Sequence, residues 1–152
     1  MTVRIVTDSA CDLPQAVADE LGIEIVPLFI RFGDDELVDR EQLSTDEFWA
    51  RCATSSVLPS TAAPAPGQFE AAYRRLAADG ATGIVAVTLS GALSATHQSA
   101  ELGAAAVAGE IPIRVVDSRS VSMGLGMIAV ACARRAQEGA SIDEVEALAH
   151  DL

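Results

Sequence analysis

Short β-branched runs alternating with helical stretches constrain this chain more than any other feature. Val3, Ile5 and Val6 lead into Thr7-Asp8-Ser9, the apolar run 84–89 stops at Ser90, and the run 113–116 stops at Asp117-Ser118. A helical stretch follows each one: from Asp12 and Pro14 to near Gly22, a small-residue helix over 95–107, and an Ala- and Met-rich helix to Glu138 with Gly139 as its stop. Phe69, Tyr73 and Leu76 recur at helical spacing before Gly80, and Ser141 with Glu144 gives a last helix its capping box. Strands alternating with helices at these distances need right-handed crossovers. They predict an α/β domain of three layers, a parallel sheet with helices on both faces. At 152 residues the length suits one domain spanning 1–152.

Between these units the pattern is less regular. The apolar run 23–32 reads as one long strand buried on both faces, followed by a turn at Gly33-Asp34-Asp35 and a short edge strand over 36–39. Ser44 and Glu47 stand in capping-box spacing, so a helix through Trp49 is expected. Residues 55–67 are rich in Ser, Thr, Ala and Pro, too stiff for a flexible linker, and read as an ordered surface loop.

Composition closes several function classes. The formal charge of −12 repels a phosphate backbone and no basic run is present, so nucleic-acid binding is not expected. All ten basic residues are arginine, which leaves no lysine for a Schiff base or a phosphate loop. Cys11, Cys52 and Cys132 lack C-x-x-C spacing and read as reduced thiols, and two histidines give no metal-ligand cluster. No apolar run approaches the roughly 18 residues of a membrane span, and no leader pattern opens the chain, so a cytoplasmic protein without stable membrane insertion is expected.

Ligands of open α/β sheets bind beyond the carboxyl ends of the strands. The residues gathered there are Asp8, Ser9, Ser90, Gly91, Asp117 and Ser118. Ser60 and Thr61 on a proline-stiffened loop, and Ser94 where a helix begins, add hydroxyls to the same rim. Any one of these serines or aspartates is equally a helix cap. As a set, hydroxyl donors beside free helix amides suit a small anion, a carboxylate in particular, without a buried cation.

At these residues the sequence resembles the DegV family of fatty-acid-binding proteins. The resemblance is carried by Thr7-Asp8-Ser9 with Asp12-Leu13-Pro14, Pro59-Ser60-Thr61 with Pro64 and Pro66-Gly67, Leu93-Ser94 with Thr96 and Gln98-Ser99-Ala100, and Asp117-Ser118 with Ser122-Met123-Gly124-Leu125-Gly126. It implies a carrier, not an enzyme, with a long-chain fatty acid as ligand and no other cofactor. Thr61 and Ser94 would hold the carboxylate, and a separate fatty acid kinase would be the partner. It also implies that the family's second domain, which covers the ligand, is absent from these 152 residues. An uncovered apolar face would then favour self-association. Ala95 stands where the family favours glycine, and His97 where it commonly has an aromatic residue.

Two other readings compete. In a serine-dependent acyl hydrolase, Ser60, Ser94 or Ser118 is the nucleophile, His97 the base and Asp8 or Asp117 its orienter, although no G-x-S-x-G elbow is present. In a truncated interaction module, the acidic surface engages a basic partner and no ligand is held.

Overall fold

Four parallel strands form the main sheet in the computed structural model, which describes residues 2–152. They are β1 (Val3–Asp8), β2 (Ile23–Val26), β6 (Gly83–Thr88) and β7 (Ile113–Asp117), in the spatial order β2-β1-β6-β7. Side chains alternate across the pleat, so each inner strand feeds two cores. Val3, Ile5, Val85 and Val87 pack beneath α1 (Gln15–Leu21), α5 (Met123–Gln137) and α6 (Ile142–Asp151). Val6, Ile84 and Ala86 pack beneath α3 (Pro66–Ala78) and α4 (Thr96–Ala106), where Phe69, Tyr73 and Leu76 form the bulk of the apolar layer. The expected three-layer arrangement is therefore present. Burial on both faces explains why β6 reads as an unbroken apolar run.

The run 23–32 is not one strand. It breaks at Pro27, which has no amide to offer a ladder and fixes its own φ. Upstream, β2 pairs with β1 in the parallel sheet. Downstream, β3 (Phe29–Phe32) leaves to pair antiparallel with β4 (Asp35–Val38), the expected edge strand. Nor is the segment 55–67 wholly a loop. Between Pro59 and Pro64 it holds β5 (Ser60–Ala62), which pairs with the free side of β3 and completes a small sheet of order β4-β3-β5. Helix α2 (Thr45–Thr54) carries its expected capping box at Ser44 and Glu47, buries no residue fully and leans on β3 through Phe48 and Phe32, with ring centroids 6.0 Å apart.

Two glycines mark where backbone approaches backbone. A Cβ at Gly103 would lie 2.8 Å from Phe69 Cβ and 2.9 Å from the Pro66 carbonyl oxygen, so α3 and α4 could not stay at their present separation. A Cβ at Gly126 would lie 2.4 Å from the Cys11 carbonyl oxygen, which fixes how closely α5 approaches the loop after β1. Gly67, in the first turn of α3, faces open space. Gly103→Ala should therefore lower stability by about 1–3 kcal/mol through overpacking. Gly67→Ala should be neutral or gain up to about 1 kcal/mol from helix propensity. Urea unfolding of the two variants beside the wild type checks both signs.

Candidate functional site

The loop that leaves β6 is the centre of the rim. Its backbone amides are matched to acceptors one after another. The Leu89 amide donates to Asp8 Oδ2 at 2.8 Å, the Ser90 amide to the Ser120 carbonyl at 2.9 Å, and the Gly91 amide to Asp117 Oδ1 at 3.1 Å. The Ala92 amide reaches Ser90 Oγ at 3.3 Å, while Leu93 and Ser94 both donate to the Ser90 carbonyl. Asp8 and Asp117 also hold their own loops, accepting from the amides of Ala10 at 3.1 Å and Arg119 at 2.9 Å. Ser118 Oγ accepts from the Ser120 amide at 3.1 Å, and buried Ser9 Oγ accepts from the Leu28 amide at 3.0 Å. Asp8, Ser9, Ser90, Gly91, Asp117 and Ser118 are thus brought together by the strand ends, and each is engaged in holding a loop.

Ser94 is half-buried at the start of α4. Its Oγ accepts from the Thr96 amide at 3.2 Å and shares a hydrogen with Thr96 Oγ1 at 2.9 Å. Beyond it the helix begins in the ordinary way, with early amides unmatched. Among the described residues, those of His97 and Gln98 find no acceptor. Ser60 and Thr61 are on exposed β5, with Thr61 opposite Ile30 of β3, and no side-chain hydrogen bond joins either to the strand-end loops.

Asp12, Ser122 and Arg40 also hold the rim. Asp12 is not a helix cap: it ends the short 3-10 turn Ser9–Cys11 in the left-handed region, φ 52°, and α1 starts behind Pro14. Its carboxylate accepts from Ser122 Oγ, and Ser122 is itself left-handed, φ 59°. Arg40 donates to the carbonyls of Leu13 at 2.8 Å and Ser9 at 3.3 Å. Nothing local announces Arg40, because its partners lie 27 and 31 residues away.

The electrostatics follow burial. Asp8 is buried, and the loss of water pushes its pKa up to about 6 against the pull of the Leu89 and Ala10 amides and the Arg40 charge. Burial likewise raises the Cys11 thiol and pushes Cys132 up to about 11, so neither is a nucleophile at neutral pH. His97 Nδ1 pairs with buried Thr88 Oγ1 at 3.0 Å, and Nε2 faces Glu101 at 3.7 Å, so the imidazole points at none of the three serines that a hydrolase would use. No group of three or more His, Cys, Asp or Glu that could hold a metal ion occurs among the described residues. None of their helices is long and apolar enough to cross a membrane.

A cleft of about 860 Å³ opens beside Asp117, between the loop after β7 and the helices α5 and α6, with Met127, Ile128 and Leu152 in its wall. Val121, Met123 and Met127 are large apolar residues left exposed in the same segment of chain.

The sequence matches a family described as "Uncharacterised protein, DegV family" over residues 2–152. A DegV domain-containing protein of Mycobacterium bovis is 41% identical over 146 residues, which cover 95% of this chain and 49% of that protein. A DegV family protein from Thermus thermophilus, solved for its fatty acid binding, is 33% identical with a TM-score of 0.88, and the match covers 99% of this chain and 53% of that one. A DegV family protein from Ruminococcus gnavus, described with vaccenic acid, is 29% identical with a TM-score of 0.85, covering 99% and 53%. The chain spans about half the length of the curated relatives it matches.

The raised pKa of Asp8 has a thermodynamic sign. A carboxyl whose folded pKa lies above its unfolded value adds stability when protonated, and that contribution is lost as pH rises from 3.8 toward about 6. At about 1.4 kcal/mol per unit the loss is on the order of 3 kcal/mol. Asp8→Asn does not titrate, so its stability relative to wild type should climb by roughly that amount between pH 4 and pH 7. Urea unfolding of both proteins across this range checks it, and a flat difference would mean that Asp8 ionises normally.

Proposed function

The chain belongs to the DegV family, and from that membership we propose that it is the first domain of a fatty-acid carrier whose carboxylate site lies at the start of α4. The single observation that carries this reading is the grouping of the Ser94 hydroxyl with the unmatched amides of His97 and Gln98. A helix N-terminus with a hydroxyl beside it receives an anion without a cation, which suits a chain that contains no lysine. The solved relatives that carry fatty acid in their descriptions support the choice of anion. Thr61, whose hydroxyl makes no hydrogen bond among the described residues, is the second proposed contact, reached from the small sheet.

Binding strength would come from the tail. At about 0.8 kcal/mol per buried methylene a long acyl chain outweighs its carboxylate contacts, so the hydroxyls mainly fix orientation. In this proposal the other half of the family's length forms the cover over the tail. The 152 residues alone would then bind weakly and tend to self-associate through Val121, Met123 and Met127. The chemistry belongs to a separate cytosolic fatty acid kinase, to which the carrier presents the carboxylate. The acyl hydrolase reading draws no support from His97, which pairs with Thr88.

Mass spectrometry of an organic extract should find fatty acid with the wild-type protein and none with a Thr61→Ala, Ser94→Ala double variant. Each single variant should weaken a titrated fatty acid by about 1–3 kcal/mol, the loss of one hydrogen bond to a charged group. Because Ser94 Oγ also caps the Thr96 amide, Ser94→Ala should cost up to about 1 kcal/mol of fold stability as well. Thermal unfolding measured alongside separates that loss from the binding effect. Unchanged affinity in both single variants would remove this site.

A further inference from the structure

Asp8 and Asp117 stand at the rim where ligand contacts are expected, and the chemistry of a carboxylate favours another role for them. An ionised carboxylate only accepts hydrogen bonds and cannot pair with a second carboxylate. Asp117 Oδ1 is already taken by two amides, those of Gly91 and Arg119. The Gly91 amide belongs to the loop that delivers Ser94 and the first turn of α4, and its bond to Asp117 joins the Ser90–Ser120 bond in tying that loop to the one after β7. Glycine leaves just enough room here. A Cβ at position 91 would lie 3.1 Å from Asp117 Oδ2 and 3.6 Å from His97 Cβ, so Asp117, Gly91 and His97 are already in close packing.

We infer that Asp117 is a positioning residue for the carboxylate site: a single carboxylate oxygen clamps the β6–α4 loop to the β7–α5 loop through Gly91, and thereby sets where Ser94 and the α4 amides meet the ligand. The inference rests on the fatty-acid reading for its ligand, and on the two hydrogen bonds accepted by Asp117 Oδ1 for the clamp. It assigns opposite effects to the two properties of the side chain. The acceptor at Oδ1 aids binding by holding the loop. The negative charge opposes binding, because it stands near an incoming anion.

Removing one property at a time separates them. Asp117→Asn keeps an Oδ1 that can accept from both amides and discards the charge. Displacement of a fluorescent fatty acid should then give an affinity two- to ten-fold above wild type, a gain that shrinks as salt screens the interaction. Asp117→Ala loses the clamp and should bind at least five-fold more weakly than wild type. Gly91→Ala, whose Cβ crowds Asp117 Oδ2 while the negative charge is retained, should fall on the same side as Asp117→Ala and serves where that variant fails to fold. Hydrogen exchange at the Gly91 amide, measured without ligand, should accelerate in Asp117→Ala and stay slow in Asp117→Asn. Wild-type affinity in Asp117→Ala, or equal losses in Asp117→Asn and Asp117→Ala, would overturn the inference. A wild type that binds no fatty acid overturns the carboxylate reading and the role of Asp117 in affinity, whereas the exchange pattern still decides the clamp by itself.

Discussion

The hydrogen bond from the Leu89 amide to Asp8 is the interaction on which the rim depends. A strand buried on both faces must end somewhere, and the amides of its exit, buried at Leu89 and exposed by Gly91, need acceptors that fix the loop. β6 solves this with carboxylates from the two strands that flank it, Asp8 at the end of β1 and Asp117 at the end of β7. A neutral acceptor would avoid the burial cost that raises the pKa of Asp8. The carboxylate offers instead two oxygens that hold two loops at once, Oδ2 for Leu89 and Oδ1 for Ala10. Hydrogen bonds to a charged acceptor are roughly twice as strong as neutral ones, which offsets part of the desolvation. The rigid exit that results lets the next six residues form a tight turn with no further anchor on a distant element except Ser120 and Asp117.

Strain gathers around the same rim. Asp12, Arg119 and Ser122 all occupy the left-handed region without being glycine, and all lie in the loops after β1 and β7. Each such residue costs on the order of 1 kcal/mol or more and persists only where its surroundings hold it. Here the surroundings are identifiable: Ser122 Oγ donates to Asp12, and the Arg119 amide is held by Asp117. α5 is pressed against the first of these loops by the absence of a Cβ at Gly126. The strain is therefore paired with bonds that enforce it. That is expected of loops whose shape matters more than their stability.

The legibility of the chain follows the range of the interactions involved. β1, β6, β7 and the capping boxes at Ser44 and Ser141 were readable because their signals are local: an apolar run, or a hydroxyl three residues from a glutamate. The break at Pro27 was masked by apolar residues on both sides, since β2 and β3 are each part of a core although they belong to different sheets. β5 was invisible because three residues between prolines have the composition of a loop, and only pairing with β3 makes them a strand. Asp8 and Asp117 are legible as rim residues, but the amides they hold are not. Sequence discloses that a carboxylate can accept, whereas its donors become known only once Leu89 and Gly91 are in place.

Ser9 shows how the two sheets are made to act together. The small sheet holds Thr61 and the main sheet holds Ser94, so a carboxylate touching both would require the two sheets to keep a fixed relation. The link runs through the segment just after Pro27. The Leu28 amide donates to Ser9 Oγ, the Leu28 carbonyl accepts from the Asp39 amide, and the Arg40 guanidinium reaches back to the Ser9 carbonyl. One residue behind Asp8 thus receives bonds at both its side chain and its backbone from the two ends of the β3–β4 excursion. The joint is polar and buried at Ser9 and Leu28, with Ser9 3% exposed, and hydrogen bonds sheltered from water in this way are strengthened. In that arrangement the residue nearest the strand end helps to set the distance between the two proposed carboxylate contacts. A loss at Ser9 would therefore disturb Thr61 before it disturbed Ser94, because only Thr61 depends on the small sheet for its position.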